Sequence, residues 1–172
     1  MKYFGFAIIT MTSIGTFAAA GELPARSDVV PNYVLIAPGV AGGGQPGLEA
    51  LPRIKELGFR TVINLRTEGE RGYLAEEEAA LKAAGVRYVH VPLTAATLSS
   101  ADVAAVRAVL EDPAAAPVLI HCTSGNRVGA MWGAVTASQG KTLEEAEAEG
   151  RRAGMHGDAM TEALRRVAQP KK

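Results

Sequence analysis

The stretch that most constrains this chain runs Pro117-Val118-Leu119-Ile120-His121-Cys122-Thr123-Ser124-Gly125-Asn126-Arg127. The short apolar run led by Pro117 reads as a buried strand, and the small and apolar residues from Val128 to Val135 read as a helix packed on a sheet. A tight turn between the two aims several backbone N–H groups and a helix N-terminus at one point, which makes an anion site before any side chain is considered. Cys122 opens the turn, where the helix dipole and Arg127 suit a reactive, anionic sulfur. Arg127 closes it with a planar fork matched to the paired oxygens of a phosphate-like group. Gly125 can adopt the backbone conformation that such a turn needs. The alternative, a small core-filling cysteine, leaves the Gly and the Arg beside it unexplained. His121 at the strand end either supports the turn or is a satisfied core histidine.

The chain begins with Lys2, an apolar run from Tyr3 to Phe17 and Ala18-Ala19-Ala20, the pattern of a cleaved export signal over residues 1–20. The run is short for a membrane span, so no stable membrane insertion is expected once it is cut, and the mature protein is expected in the periplasm or secreted. The sequence holds one cysteine, which excludes an internal disulfide in an exported chain and leaves Cys122 free or functional. A formal net charge of zero, with no basic tract, argues against nucleic acid as a partner. The three histidines, His90, His121 and His156, lack ligand spacing, so no metal is expected, and no organic cofactor is implied.

Residues 21–32, with Pro24 and Pro31, read as a polar lead-in, residues 33–168 as one domain and 169–172 as a tail. Tyr33–Ala37, Phe59–Leu65 and Val86–Val91 read as strands. Leu48–Leu57, Leu74–Ala84, a segment capped by Ser99 and Asp102, one boxed by Thr142 and Glu145, and one capped by Asp158 read as helices. Glu76, Glu77 and Glu78 read as a solvated helix face. The expected architecture is α/β, a mainly parallel sheet flanked by helices. Between Pro38 and Gly47 lies a glycine-rich loop in which Gly42-x-Gly44-x-x-Gly47, with Glu68 downstream, formally matches a dinucleotide fingerprint. Pro46 interrupts that turn, and close packing on neighbours is the simpler reason for the glycines.

In a parallel sheet, ligands collect beyond the carboxyl ends of the strands. The Cys122 turn, Arg66–Arg71 and Pro92–Thr97 all lie at such ends and can converge on one pocket. Arg66, Glu68, Glu70 and Arg71 are second-rank candidates for substrate contact; for each, a solvated loop charge is the plainer reading.

From Gly44 to about Thr136 the segments Gly-Gln-Pro, Gly-Phe-Arg-Thr-Val-Ile-Asn-Leu-Arg, Gly-Val-Arg-Tyr-Val-His-Val-Pro and His-Cys-Thr-Ser-Gly-Asn-Arg resemble the beta-lactamase-hydrolase-like phosphatase group. That group is related to the phosphatase-like domain fused to some NAD kinases. The resemblance implies a small protein tyrosine phosphatase-like fold of the tyrosine and dual-specificity phosphatase superfamily, acting on a phosphorylated small molecule or protein. It places the nucleophile at Cys122, the phosphate-binding arginine at Arg127 and an amide cradle at Thr123, Ser124, Gly125 and Asn126, with His121 grouped among the substrate-lining residues. Three departures stand out. The wider superfamily has five residues between Cys and Arg, and here Thr123 to Asn126 are four. The Ser or Thr usually following the arginine is Val128, and the loop that usually carries a general-acid aspartate reads Pro92-Leu93-Thr94-Ala95-Ala96-Thr97. Asp102, the nearest acid downstream, is assigned first to helix capping.

The short turn also resembles the active loop of rhodanese-type sulfurtransferases, in which Cys122 would carry a persulfide. A module that binds anions without turnover is the third possibility. The expected function is an exported cysteine-dependent phosphatase that prefers aryl phosphates and passes through a phosphocysteine. For the export signal, mass spectrometry of the mature protein should find Gly21 at the N-terminus, outside the cytoplasm. An intact Met1 on a stable cytoplasmic protein removes that expectation.

Overall fold

A computed structural model describes residues 23–169. The expected export signal therefore lies outside the described residues, as does all but the first residue of the expected tail. Five strands form one sheet: β1 (Val34–Ala37), β2 (Val40–Gly43), β3 (Thr61–Asn64), β4 (Arg87–His90) and β5 (Val118–His121). Their order is β1-β2-β5-β3-β4; β1 pairs antiparallel with β2, and every other pair is parallel. The helices are α1 (Leu51–Glu56), α2 (Glu77–Ala83), α3 (Ser100–Glu111), α4 (Asn126–Ser138), α5 (Leu143–Arg152) and α6 (Asp158–Ala168). This is the α/β, mainly parallel architecture expected from the sequence. Among the described residues no helix is long and apolar enough to cross a membrane.

β5 is central because all four of its residues, Val-Leu-Ile-His, are buried between β2 and β3. Its alternating side chains feed two core layers. Ile120 joins Ile63, Val128, Met131 and Leu164 on the face covered by α3, α4 and α6. Leu119 joins Val62, Ile54 and Leu81 on the face covered by α1 and α2. Burying each such side chain contributes about 1.5 to 3 kcal/mol before entropy is charged. The helix boundaries follow their sequence signals: Ser99 with Asp102 and Thr142 with Glu145 form reciprocal capping boxes. Asp158 is a correction, since Gly157 occupies the cap position and no side chain caps α6.

Three further segments differ from the reading of the sequence. Val40–Gly43, expected as loop, is β2. Its glycines are there for closeness: a Cβ on Gly42 would stand 2.6 Å from Val128 Cγ1, and one on Gly43 would stand 2.5 Å from Val30 Cγ1. With Gly42 and Gly43 inside or ending a strand that pairs with β5, the formal dinucleotide fingerprint has no turn to occupy. The lead-in is not polar packing material either, because Leu23, Val29 and Val30 are 7%, 3% and 1% exposed and complete the α1/α2 core layer. Finally, Glu77 is fully buried, so the three glutamates do not share one solvated face.

α4 meets α5 and α6 at two small residues. A Cβ on Gly133 would lie 2.6 Å from the Ala146 carbonyl oxygen, and one on Gly129 would collide with the Met155 amide nitrogen and the Gly150 carbonyl oxygen. These obstacles are backbone and cannot rotate away. Gly129→Ala should therefore cost about 3 kcal/mol in urea unfolding. Gly140→Ala should cost only about 1 kcal/mol, since Gly140 has open space and only a φ of 96° to lose. Equal costs would mean that α4 and α5 do not approach as described.

Candidate active site

The turn after β5 carries the site. Cys122, one residue past the strand, is 1% exposed and forms its floor. Its N–H donates to the Gly43 carbonyl at 3.3 Å, and the Gly125 N–H donates to its Sγ at 3.1 Å. Gly125 caps α4 with φ 100°, which turns the chain so that the helix N-terminus faces the sulfur. The segment after β2 braces the turn from the other side: the Gln45 N–H donates to the Thr123 carbonyl at 3.3 Å, and Gly44 bridges Ser124. A Cβ on Gly44 would stand 2.8 Å from the Thr123 carbonyl oxygen.

Thr123 and Ser124 are exposed at the rim. The Asn126 side chain points away from the turn, where its Oδ1 accepts from the His156 N–H at 2.8 Å and ties the α5–α6 connection to the start of α4. His121, grouped with the substrate-lining residues on sequence grounds, is fully buried. Its ring lies 2.9 Å from Glu77, below the turn, and is not placed to touch a substrate.

Arg127 reaches across to the end of β3. Its Nη1 donates to Glu70 Oε1 at 2.5 Å and its Nη2 to Glu70 Oε2 at 2.7 Å, a two-pronged ion pair. Nη1 also donates to the Leu93 carbonyl at 3.0 Å, and Nη2 to Thr123 Oγ1 at 2.9 Å. Thr123 Oγ1 in turn donates to Glu70 Oε2 at 3.2 Å. The Arg127 hydrogen bonds hold the Glu70 carboxyl well below the usual carboxylate range, against the opposing effect of burial. Burial pulls the Arg127 guanidinium down, but Glu70 and the neighbouring Cys122 sulfur together push it above its ordinary value.

Reading Arg66 and Glu70 as solvated loop charges does not survive. Arg66 is 1% exposed and donates to Glu70 Oε2 at 3.3 Å, Gln45 Oε1 at 3.0 Å and the Gly72 and Arg71 carbonyls at 2.6 and 2.8 Å. Glu68 and Arg71 are exposed, as expected. Glu68 lines a cavity of about 420 Å³ with Tyr73, Tyr88 and His90, which neither Cys122 nor Arg127 lines. Asp102 Oδ2 accepts from the Ser99 N–H and hydroxyl at 2.9 and 2.7 Å, the capping role first assigned to it.

A family model described as "Beta-lactamase hydrolase-like protein, phosphatase-like domain" matches residues 32–139. The chain belongs to this family. A Beta-lactamase hydrolase-like protein of Xylella fastidiosa is 30% identical over 135 residues, which are 76% of this chain and 31% of that protein. The chain thus spans about a third or less of the curated relatives it matches. Among solved structures, Tk-PTP in its active form superposes with a TM-score of 0.66 at 26% identity, covering 80% of this chain and 97% of the other. The core catalytic domain of the PP-IP phosphatase Siw14 from S. cerevisiae superposes with a TM-score of 0.63 at 20% identity, covering 81% and 88%. The fold is that of the protein tyrosine phosphatase-like superfamily, as the sequence resemblance implied.

The lowered Glu70 carboxyl makes stability depend on acid. The unfolded chain takes up a proton near pH 4.3 while the folded chain stays ionised to much lower pH, so the stabilisation is complete above that region and is lost progressively as pH falls from there toward the lowered folded value. Glu70→Gln should lose about 1 to 3 kcal/mol at pH 7. Its deficit against the wild type, followed by thermal melting, should shrink between about pH 5 and 3. A deficit independent of pH would mean that the carboxylate charge is not what stabilises the pair.

Proposed function

We propose that the protein is an exported phosphatase that hydrolyses phosphate monoesters through a covalent phosphocysteine, with aryl esters preferred. The observation that carries this reading is the convergence at the start of α4: sulfur at the floor, Gly125 amide and helix N-terminus facing it, Arg127 fork alongside. Membership of the phosphatase-like family supports it. In the proposed reaction the Cys122 thiolate attacks phosphorus, and the alcohol or phenol oxygen departs with its electron pair. Arg127 and the amides of Thr123 to Asn126 hold the equatorial oxygens as charge redistributes. Water then attacks the phosphocysteine, releasing phosphate and restoring the thiolate.

The leaving oxygen has little help. Asp102 is spent on the cap of α3, Glu70 is held ionised by Arg127, and residues 92–97 contain no acid. Thr94 and Thr97 of that loop bond each other, with the Thr94 N–H donating to Thr97 Oγ1 at 2.8 Å. A placed acid is worth about 10² to 10⁴ in rate, so esters of acidic phenols should be hydrolysed far faster than alkyl esters. The four-residue spacing between Cys122 and Arg127 favours one other reading, sulfur transfer through a Cys122 persulfide.

A panel of aryl phosphates, alkyl phosphates and thiosulfate with a thiol acceptor separates the two. Phosphate release from aryl esters, lost in Cys122→Ser and reduced by about 10² or more in Arg127→Lys, is expected. A sulfur adduct on Cys122 with no phosphate released from any aryl ester would assign the site to sulfur transfer. Equal rates on aryl and alkyl esters would mean that an acid operates.

A further inference from the structure

Directly below the turn sits a carboxylate that the proposed chemistry does not use. Glu77, in the first turn of α2, is fully buried. Its Oε2 accepts from Asn64 Nδ2 at 2.8 Å, and its Oε1 accepts from Gln45 Nε2 at 3.2 Å. The same Oε1 lies 2.9 Å from His121 Nε2 but off the ring N–H direction, so His121 is paired by proximity and neither of its nitrogens has an aligned hydrogen bond. Three chain segments that end at the active site, the extension of β2, β3 and β5, are thus held by one side chain. Asn64 also donates to Tyr88 Oη at 3.0 Å and accepts from the Arg66 N–H at 2.8 Å.

Two routes lead from Glu77 to the reacting groups. One is direct, since His121 is the residue before Cys122. The other passes from Gln45 to Arg66 at 3.0 Å, from Arg66 to Glu70 at 3.3 Å and from Glu70 to both terminal nitrogens of Arg127. A buried ion is a poor choice for stability alone, because well-packed apolar replacements of such groups are often neutral or stabilising. A carboxylate, however, presents two acceptor oxygens and no donor, so it can accept from several donors at once and fix their relative positions. We propose that Glu77 is a positioning residue: it sets His121 beneath Cys122 and, through Gln45, Arg66 and Glu70, the plane of the Arg127 fork. The proposal rests on the reading of Cys122 and Arg127 as the reacting groups.

Glu77→Gln tests it, because the variant keeps the volume but removes the charge and turns an amide NH₂ toward at least one of the donors, Asn64 Nδ2 or Gln45 Nε2. The measurements are kcat and KM on an aryl phosphate, the rate of Cys122 alkylation by iodoacetamide across pH, and circular dichroism. In folded Glu77→Gln, kcat should fall by about tenfold or more with KM within about threefold, and the alkylation profile should move away from that of the wild type. Glu77→Asp, which restores the charge, should recover part of the loss. A folded Glu77→Gln protein with wild-type kcat and alkylation profile would overturn the proposal. Where Glu77→Gln does not fold, Gln45→Met cuts the bridge to Arg66 and leaves Glu77 in place. It should lower kcat by about tenfold, and wild-type kinetics there would overturn the proposal. If the wild type releases no phosphate at all, the phosphatase reading fails on its own. The alkylation profile then decides the positioning role: displaced in the variant supports it, unchanged rejects it.

Discussion

Charges removed from water beside the Cys122 turn must find partners inside the protein, and this requirement shapes everything around the site. Arg66 is the clearest case. At 1% exposure its guanidinium cannot be left to solvent, and it takes two carbonyls from its own loop, Gly72 and Arg71, with Gln45 and Glu70. Folding the loop back onto Arg66 brings Glu70 over the site, where Thr67 secures it: the Thr67 N–H and hydroxyl donate to Glu70 Oε1 at 2.8 and 2.9 Å. Only then is Glu70 in place to meet Arg127. The orientation of the Arg127 fork is therefore a consequence of a buried arginine on the neighbouring loop.

The second constraint is distance between backbones. Gly42, Gly43 and Gly44 let β2 and its extension press against β1, α4 and the turn, and Gly129 and Gly133 let α4 lie on α5. α4 is held on both sides, so its N-terminus cannot drift from the sulfur. For an amide cradle this matters more than the strength of any one bond, because preorganised dipoles stabilise developing charge only if they need not move to do so.

Much of this was legible in the sequence. The strand-turn-helix around Cys122, the capping boxes at Ser99 and Thr142 and the parallel sheet follow from local patterns of apolar spacing, caps and glycine stops. What escaped has a common cause. β2 reads Val-Ala-Gly-Gly, too poor in β-branched residues to signal a strand, and is one because β5 and β1 supply its partners. Glu77 stands between Glu76 and Glu78, and nothing in a run of glutamates says which one turns inward. Arg66 and Glu70 look like ordinary loop charges until the loop closes. Each depends on contacts between residues far apart in the chain. The spacing of Gln45, Asn64, Arg66, Glu77 and His121 becomes meaningful only once the strand order puts their carboxyl ends side by side.

That arrangement has an electrostatic consequence for the proposed reaction. Arg127 meets an incoming phosphate already paired with Glu70, so the site has a directed fork with much of its net charge offset. A bare buried guanidinium would bind any dianion tightly, the phosphate product included, and binding energy common to substrate and transition state does not raise kcat. With Glu70 in place, attraction for the ground-state dianion is moderated while the fork is kept in one plane. The stabilisation that remains is the geometric part: N–H groups of the turn face the equatorial oxygens as the phosphoryl group flattens between sulfur and the leaving oxygen. Arg127, whose terminal N–H groups are taken by Glu70, Leu93 and Thr123, joins them by exchanging a partner for phosphate. Glu70 therefore contributes as a fixed negative partner rather than as a proton donor, and the same ion pair that positions the arginine leaves the departing oxygen to rely on its own acidity.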